Sequence, residues 1–179
     1  MKTKNPHVII FMATFNGSKY IGDQLNSIIK QNYKNWSLII SDDNSSDDTI
    51  KIIKKFIKAN PKQKISLING PQKGYANNFL SMVCNKNFKA DYYAFSDQDD
   101  IWLSNKIEIA INQLNTFRVK NIPLLYCGRT NYVSENLKML GMSPLFKKRP
   151  SFKNAIVQNI AGGNTMVFNN NLKLILEKI

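Results

Sequence analysis

The sequence predicts an α/β domain with a mainly parallel central sheet flanked by helices. Apolar runs of strand length alternate with stretches whose apolar residues fall at helical spacing, the pattern of strand–helix–strand units. The first run, residues 7–13, is continuously apolar, which marks a strand buried on both faces. Four polar motifs follow strand ends instead of being scattered. Right-handed crossovers put the C-terminal ends of such strands on one edge, and that edge is where ligands bind.

Residues 7–13 (HVIIFMA) form the first strand, and residues 18–31 place Ile21, Leu25, Ile28 and Ile29 on one helix face. Trp36 to Ile40 is the second strand. Ser46-Asp47-Asp48 then reads as a helix start, with Ile50, Ile53 and Ile57 on one face up to Ala59 and Pro61 closing the helix. Residues 64–69 are a third strand, Gly70-Pro71 a turn and 75–86 a helix. Asp91 to Ser96 is a fourth strand, and 104–118 a helix carrying Ile107, Ile111 and Leu114. Beyond Pro123, residues 124–133 read as one strand, Ser134-Glu135-Asn136 as a turn and 141–154 as a mobile loop. Residues 165–168 read as a short strand and 170–179 as the start of a helix.

A length of 179 residues fits one domain. The longest apolar run, Val8 to Ala13, is far short of a membrane span. Cys84 and Cys127 form no CxxC pair and read as core thiols, which suits a reducing cytoplasm. The net charge is +13, which points to phosphate-bearing ligands, nucleic acid or an anionic membrane face. Seven of the twelve acids nevertheless sit in two knots, Asp42, Asp43, Asp47 and Asp48, then Asp97, Asp99 and Asp100. Like charges gathered this way need an offset from a metal ion, backbone amides or water.

Asp97-Gln98-Asp99-Asp100 follows a buried strand, and Asp-x-Asp there supplies two carboxylates. Mg²⁺ or Mn²⁺ takes hard oxygen ligands and commonly combines such a pair with substrate phosphates. The plainer alternative is a solvated turn capping the helix near Ser104. Asp42-Asp43 can accept from a pyrimidine N–H or a ribose hydroxyl if Ser46 or Asp47 caps the next helix and leaves them free; otherwise they are themselves caps. In Thr14-Phe15-Asn16-Gly17 the aromatic can stack on a base, and Gly74 marks a strand–helix junction with amides free to face a ligand. There is neither G-x-G-x-x-G nor a P-loop. His7 is the only histidine, which excludes His-centred triads and multi-His zinc sites. Lys147-Lys148-Arg149 is a solvated loop or a contact for phosphate or anionic lipid.

Taken in order, Thr14-Phe15-Asn16-Gly17, Asp42-Asp43-Asn44-Ser45 with Asp48-Thr49, Gly74 with Asn77-Asn78-Phe79, and Asp97-Gln98-Asp99-Asp100-Ile101-Trp102 resemble the family 2 glycosyltransferases. With Gly162-Gly163-Asn164-Thr165 the wording is most similar to bacterial rhamnosyltransferase-type members. The resemblance implies a single GT-A nucleotide-diphospho-sugar domain over residues 1–179, about 1–120 as its nucleotide-binding half and about 121–179 as a partial acceptor-side half, and inverting transfer from a dTDP- or UDP-linked sugar. The acceptor it implies is a saccharide or lipid-linked one in surface-polysaccharide synthesis, at the cytoplasmic side with peripheral contact at the inner membrane face. Carried over, Asp99 is the metal ligand and Asp97 contacts metal or ribose. Asp42 or Asp43 holds the base, and Thr14, Phe15 and Asn16 line its pocket, with Gly74, Asn78 and Gln98 also on the nucleotide sugar. Asp100, Trp102, Gly162, Gly163 and Asn164 border the donor sugar or acceptor.

The family also implies a carboxylate base after the Gly-rich segment, and here Glu177 is the single acid between residues 141 and 179. The base is therefore expected beyond Ile179, and the chain is expected to be an N-terminal portion that binds donor and transfers poorly. Two other enzyme-level alternatives stay open, a donor-binding fragment without turnover and a Mg²⁺-dependent phosphoryl-transfer enzyme. The latter wants a nucleophilic aspartate on the first strand, where there is none. A nucleic-acid-binding domain wants aromatics interleaved with Lys/Arg on one face, whereas these motifs are acidic.

Overall fold

The computed structural model describes residues 5–117, 121–146, 151–157 and 159–178. Lys147-Lys148-Arg149 lies outside the described residues. Strands β1 (Val8–Thr14) and β2 (Trp36–Asp42) are buried at every position, β1 as its unbroken apolar run requires and β2 with Ser37, Ser41 and Asp42 buried beside its apolar residues. With β3 (Ile65–Asn69) and β4 (Tyr92–Ser96) they form a parallel array in the order β3-β2-β1-β4. The short β5 (Leu125–Tyr126) and β8 (Val167–Asn169) complete the six-stranded sheet, β8 running antiparallel to both β4 and β5.

Helices α1 (Ile21–Ile29), α2 (Thr49–Ala59) and α4 (Lys106–Leu114) cover one face of the sheet. There Ile21, Leu25, Ile28, Ile53, Ile107 and Ile111 pack on Val8, Ile10, Leu38 and Ala94. Helices α3 (Tyr75–Val83) and α6 (Asn170–Leu176) cover the other, where Met82 and Val83 meet Ile9, Phe11, Tyr93 and Phe168. Rings of Phe11, Tyr93 and Phe168 stack at 5.7 and 5.6 Å, within the range favourable for aromatic pairs. Alternate residues of β1 thus serve opposite cores, which is why that strand is apolar up to Thr14.

The C-terminal third departs from expectation. Residues 124–133 are not one strand: Gly128 and Arg129 separate β5 from β6 (Asn131–Val133), and β6 pairs with β7 (Met139–Met142) in a sheet of its own. Of the apolar side chains in this stretch, Leu124 and Tyr126 pack partly buried on the core, while Leu125, Tyr132 and Val133 are exposed. Residues 141–154, expected to form a mobile loop, hold the end of β7 and the start of helix α5 (Phe152–Val157). A 3-10 turn at Gly163–Thr165 delays β8 by two residues. Cys127 is exposed and not a core thiol. Among the described residues no helix is long and apolar enough to cross a membrane.

Candidate active site

The chain passes from β1 to β2 and β3 on one side and returns to β4 on the other. Such a reversal opens a crevice between the C-terminal ends of the two central strands. A cavity of about 750 Å³ lies at this point. Thr14 and Phe15 from the end of β1, Asp43 after β2, Gly74 and Asn78 from the start of α3, and Asp97, Gln98 and Asp99 after β4 all line it. Both acidic knots therefore contribute to one cleft. The sequence motifs did not single out Gln72, Tyr75 or Phe79 as contacts, yet these line it too. Tyr75, directly after Gly74, was within reach of sequence reasoning, while Gln72 carried no distinguishing pattern.

Asp42 does not line this cavity. It is 4% exposed and bound on both carboxylate oxygens, by Thr14 Oγ1 at 2.7 Å, Ser45 Oγ at 2.7 Å and Ser45 N at 2.8 Å. The expectation that it is free is corrected: its charge is absorbed by the loop that it folds. Ser46 does not cap α2, since its N–H and Oγ donate to Asn16 Oδ1. Asp47 does accept from Thr49 N at 3.0 Å. Hydrogen bonds from Thr49 and Ser18 hold the Asp47 carboxyl well below the usual range. Asn16, at φ 47°, also donates its N–H to Ser45 Oγ at 2.9 Å. It staples the β1 loop to the β2 loop and lies outside the cavity wall.

Asp43 has the opposite arrangement. It lines the cavity, and its two oxygens accept from Gln72 N at 2.5 Å and Gly74 N at 3.0 Å. It thereby positions the Gln72–Gly74 turn, where Gln72 and Gly74 both take positive φ, against the start of α3. Asn78 is 1% exposed; its Nδ2 donates to Ser41 O, and its Oδ1 has no partner. Gly70 lies behind this pair, and a Cβ there would fall 2.7 Å from Asp43 Oδ1 and 3.0 Å from the Asp42 carbonyl. Gly70→Ala is therefore expected to cost about 1–3 kcal/mol. Urea unfolding checks this, and an unchanged midpoint would mean that Asp43 yields freely.

Gln98 pairs with the Phe15 backbone like a strand neighbour, accepting from its N–H at 2.9 Å and donating to its carbonyl at 3.0 Å. The Phe15 backbone is thus fixed at the cleft mouth, with its ring exposed there. Gly17 permits this approach, because a Cβ there would come within 2.2 Å of Gln98 Oε1.

Asp97 and Asp99 face the cavity as a hard-oxygen pair. Burial, then the charges of Asp100 and Asp99, push Asp97 up to about 6. Among the described residues no group of three or more potential ligands forms a complete metal cage. Two carboxylates beside open space fit a divalent cation that takes its other ligands from substrate and water.

Asp100 turns away from the cavity and accepts from Asn164 Nδ2 at 2.6 Å. Lys106 donates to the Asn164 carbonyl and lies 3.9 Å from the Trp102 ring centre; burial lowers Lys106 to about 8. This network ties the Gly162–Asn164 segment to the acidic loop, although none of those three residues lines the cavity. Trp102 is 5% exposed and part of the core, so it does not face the cleft as expected. An isolated lysine on an amphipathic helix carried no signal of the Lys106 role.

This sheet order and its switch-point cleft define a GT-A nucleotide-sugar transferase fold. Residues 9–173 match the family described as Glycosyl transferase family 2, and the chain belongs to that family. It is 37% identical over 132 residues to the dTDP-rhamnosyl transferase RfbG of Shigella flexneri, covering 69% of this chain and 45% of that protein. It is 30% identical over 129 residues to the UDP-Glc:alpha-D-GlcNAc-diphosphoundecaprenol beta-1,3-glucosyltransferase WfgD of Escherichia coli, covering 72% and 47%. Among solved structures, the mannosyltransferase PcManGT from Pyrobaculum calidifontis, in complex with GDP-Man and Mn²⁺, shares the fold. Its TM-score is 0.67 at 18% identity, over 97% of this chain and 47% of that one. The chain thus spans less than half the length of these proteins.

Proposed function

We propose that this chain is the donor-binding part of an inverting glycosyltransferase that moves a sugar from a dTDP- or UDP-linked donor to a saccharide or lipid-linked acceptor in bacterial surface-polysaccharide synthesis. The observation that carries this reading is the single cleft at the sheet's switch point that gathers Asp43, Asp97 and Asp99. The RfbG and WfgD likenesses support the donor and acceptor classes.

In this reading the exposed Phe15 ring stacks on the base, and Asn78 Oδ1, buried and unpartnered, accepts from a base or ribose donor. Asp43 acts by shaping the α3 entrance, since both its oxygens already hold backbone N–H groups. Asp97 and Asp99 hold Mg²⁺ or Mn²⁺ beside the diphosphate. The cation, when bound, neutralises charge on the departing diphosphate. The Lys106–Asn164–Asp100 connection orients the Gly162–Asn164 segment toward the sugar end of the donor. Glu177 is not the acceptor's base. It is ion-paired with Lys173, whose Nζ also donates to Asn85 O beyond the C-terminal end of α3, while the cavity lies at the start of that helix.

Calorimetry with UDP, dTDP and GDP, each with and without Mn²⁺, tests the reading. Binding of a pyrimidine diphosphate strengthened by Mn²⁺ is the expected result, and absence of binding to all three would overturn it. The pH dependence has a definite sign. With Asp97 at about 6, protons displace the cation below that value. Mn²⁺-assisted affinity is expected to fall about tenfold from pH 7 to pH 5. Asp97→Asn removes this slope, and a flat wild-type profile would exclude Asp97 as a ligand.

A further inference from the structure

We propose that the β6–β7 hairpin and the segment after it dock the protein on an anionic bilayer surface. The inference extends the lipid-linked-acceptor reading and stands on a different part of the molecule. β6 and β7 form a two-stranded sheet separate from the central one, and such a pair is marginal in water without something to pack against. Its large apolar side chains face outward: Leu137, Met139, Leu140, Met142, Leu145 and Phe146 are all exposed, Leu140 at 68% and Leu145 at 65%. A concentration of exposed apolar side chains like this marks an interaction surface.

Charge selects the partner. Arg129 and Lys138 are exposed on this unit, and the Arg129 guanidinium is fixed at the hairpin base by donating to Ser143 O. The hairpin's acid, Glu135, is neutralised by an ion pair with Lys19 at 3.0 Å. An apolar surface edged by cations matches the headgroup boundary of an anionic membrane. A second copy of a chain carrying +13 is disfavoured by repulsion. Lys19 lies two residues beyond the Thr14–Gly17 loop, so its exposed ion pair with Glu135 places the hairpin tip on the cleft side of the sheet. Docking there presents the cleft edge to an acceptor held in the bilayer.

Co-sedimentation with vesicles of phosphatidylcholine, alone or mixed with phosphatidylglycerol, tests the proposal. The 179-residue chain is expected to bind the mixed vesicles, more weakly as salt rises. Leu140→Asp is expected to weaken binding about tenfold or more, and the milder Lys138→Gln about fivefold. Both should keep wild-type nucleoside-diphosphate affinity, which also reports that they fold. No binding, equal binding to both vesicle types, or variants that bind like wild type would overturn the proposal. A dimer that Leu140→Asp dissociates would overturn it too, by assigning the face to a second copy. Failure of the unmutated chain to bind nucleotide would instead sink the donor reading and leave the vesicle result standing.

Discussion

Asp99→Ala is expected to remove most of the gain in nucleoside-diphosphate affinity that Mn²⁺ confers, while the protein stays folded. Asp99 is exposed at the cavity wall, so truncation leaves no buried donor without a partner and costs little stability. Its neighbour Asp97 is partly buried and its carboxyl, raised to about 6, is still mostly ionised at neutral pH, so it keeps one part of the cation's coordination when Asp99 is gone. Loss of a charged ligand contact worth about 1.5–3 kcal/mol corresponds to roughly 10–150-fold in affinity. Titration of UDP or dTDP into the variant at fixed Mn²⁺ measures this. Full metal dependence in Asp99→Ala would show that Asp97 and the diphosphate hold the cation without it. Binding without Mn²⁺ should change little, or rise slightly, because a negative charge facing the phosphates has gone.

Asp42→Ala should act on the fold instead. The wild-type carboxylate is buried and holds the Thr14 hydroxyl, the Ser45 N–H and the Ser45 hydroxyl. Removing it strands these donors between the β1 and β2 loops, at a cost of about 3–5 kcal/mol. For a chain of this length the melting temperature should drop by roughly 10 °C or more. Asp42→Asn keeps the shape and one acceptor, and the two hydroxyls can reverse to accept from its amide, so a smaller loss is expected. Thermal unfolding of the three proteins, beside nucleotide titrations, separates the roles. Unchanged melting with lost nucleotide binding would make Asp42 a ligand contact, contrary to its position here.

The alternation of apolar runs with helical spacings was enough to read α/β class, the four parallel strands and their order along the chain. The reason is that burial on both faces leaves a continuous signature in β1. The gathering of motifs at strand ends was legible for the same reason: once crossovers are right-handed, topology alone brings those ends together. The motif order around Asp97-Gln98-Asp99-Asp100 also resembled the family that residues 9–173 match.

Which of several similar residues faces the cleft was decided by the tertiary structure. Asp42 and Asp43 are adjacent and chemically identical, yet successive side chains at a strand end point to opposite sides. One is consumed by Thr14 and Ser45, and the other reaches the Gln72–Gly74 turn at the cavity. Trp102, expected beside the donor sugar or acceptor, is buried in the core, with Lys106 over its ring. The 124–146 region misled for a complementary reason. Periodicity reports that a segment is apolar, not what covers it, and here only Leu125 and Tyr126 pair with the central sheet and only Leu124 and Tyr126 pack on its core. The remaining apolar residues form a hairpin facing outward, because strand pairing is a contact between distant segments that local spacing does not encode.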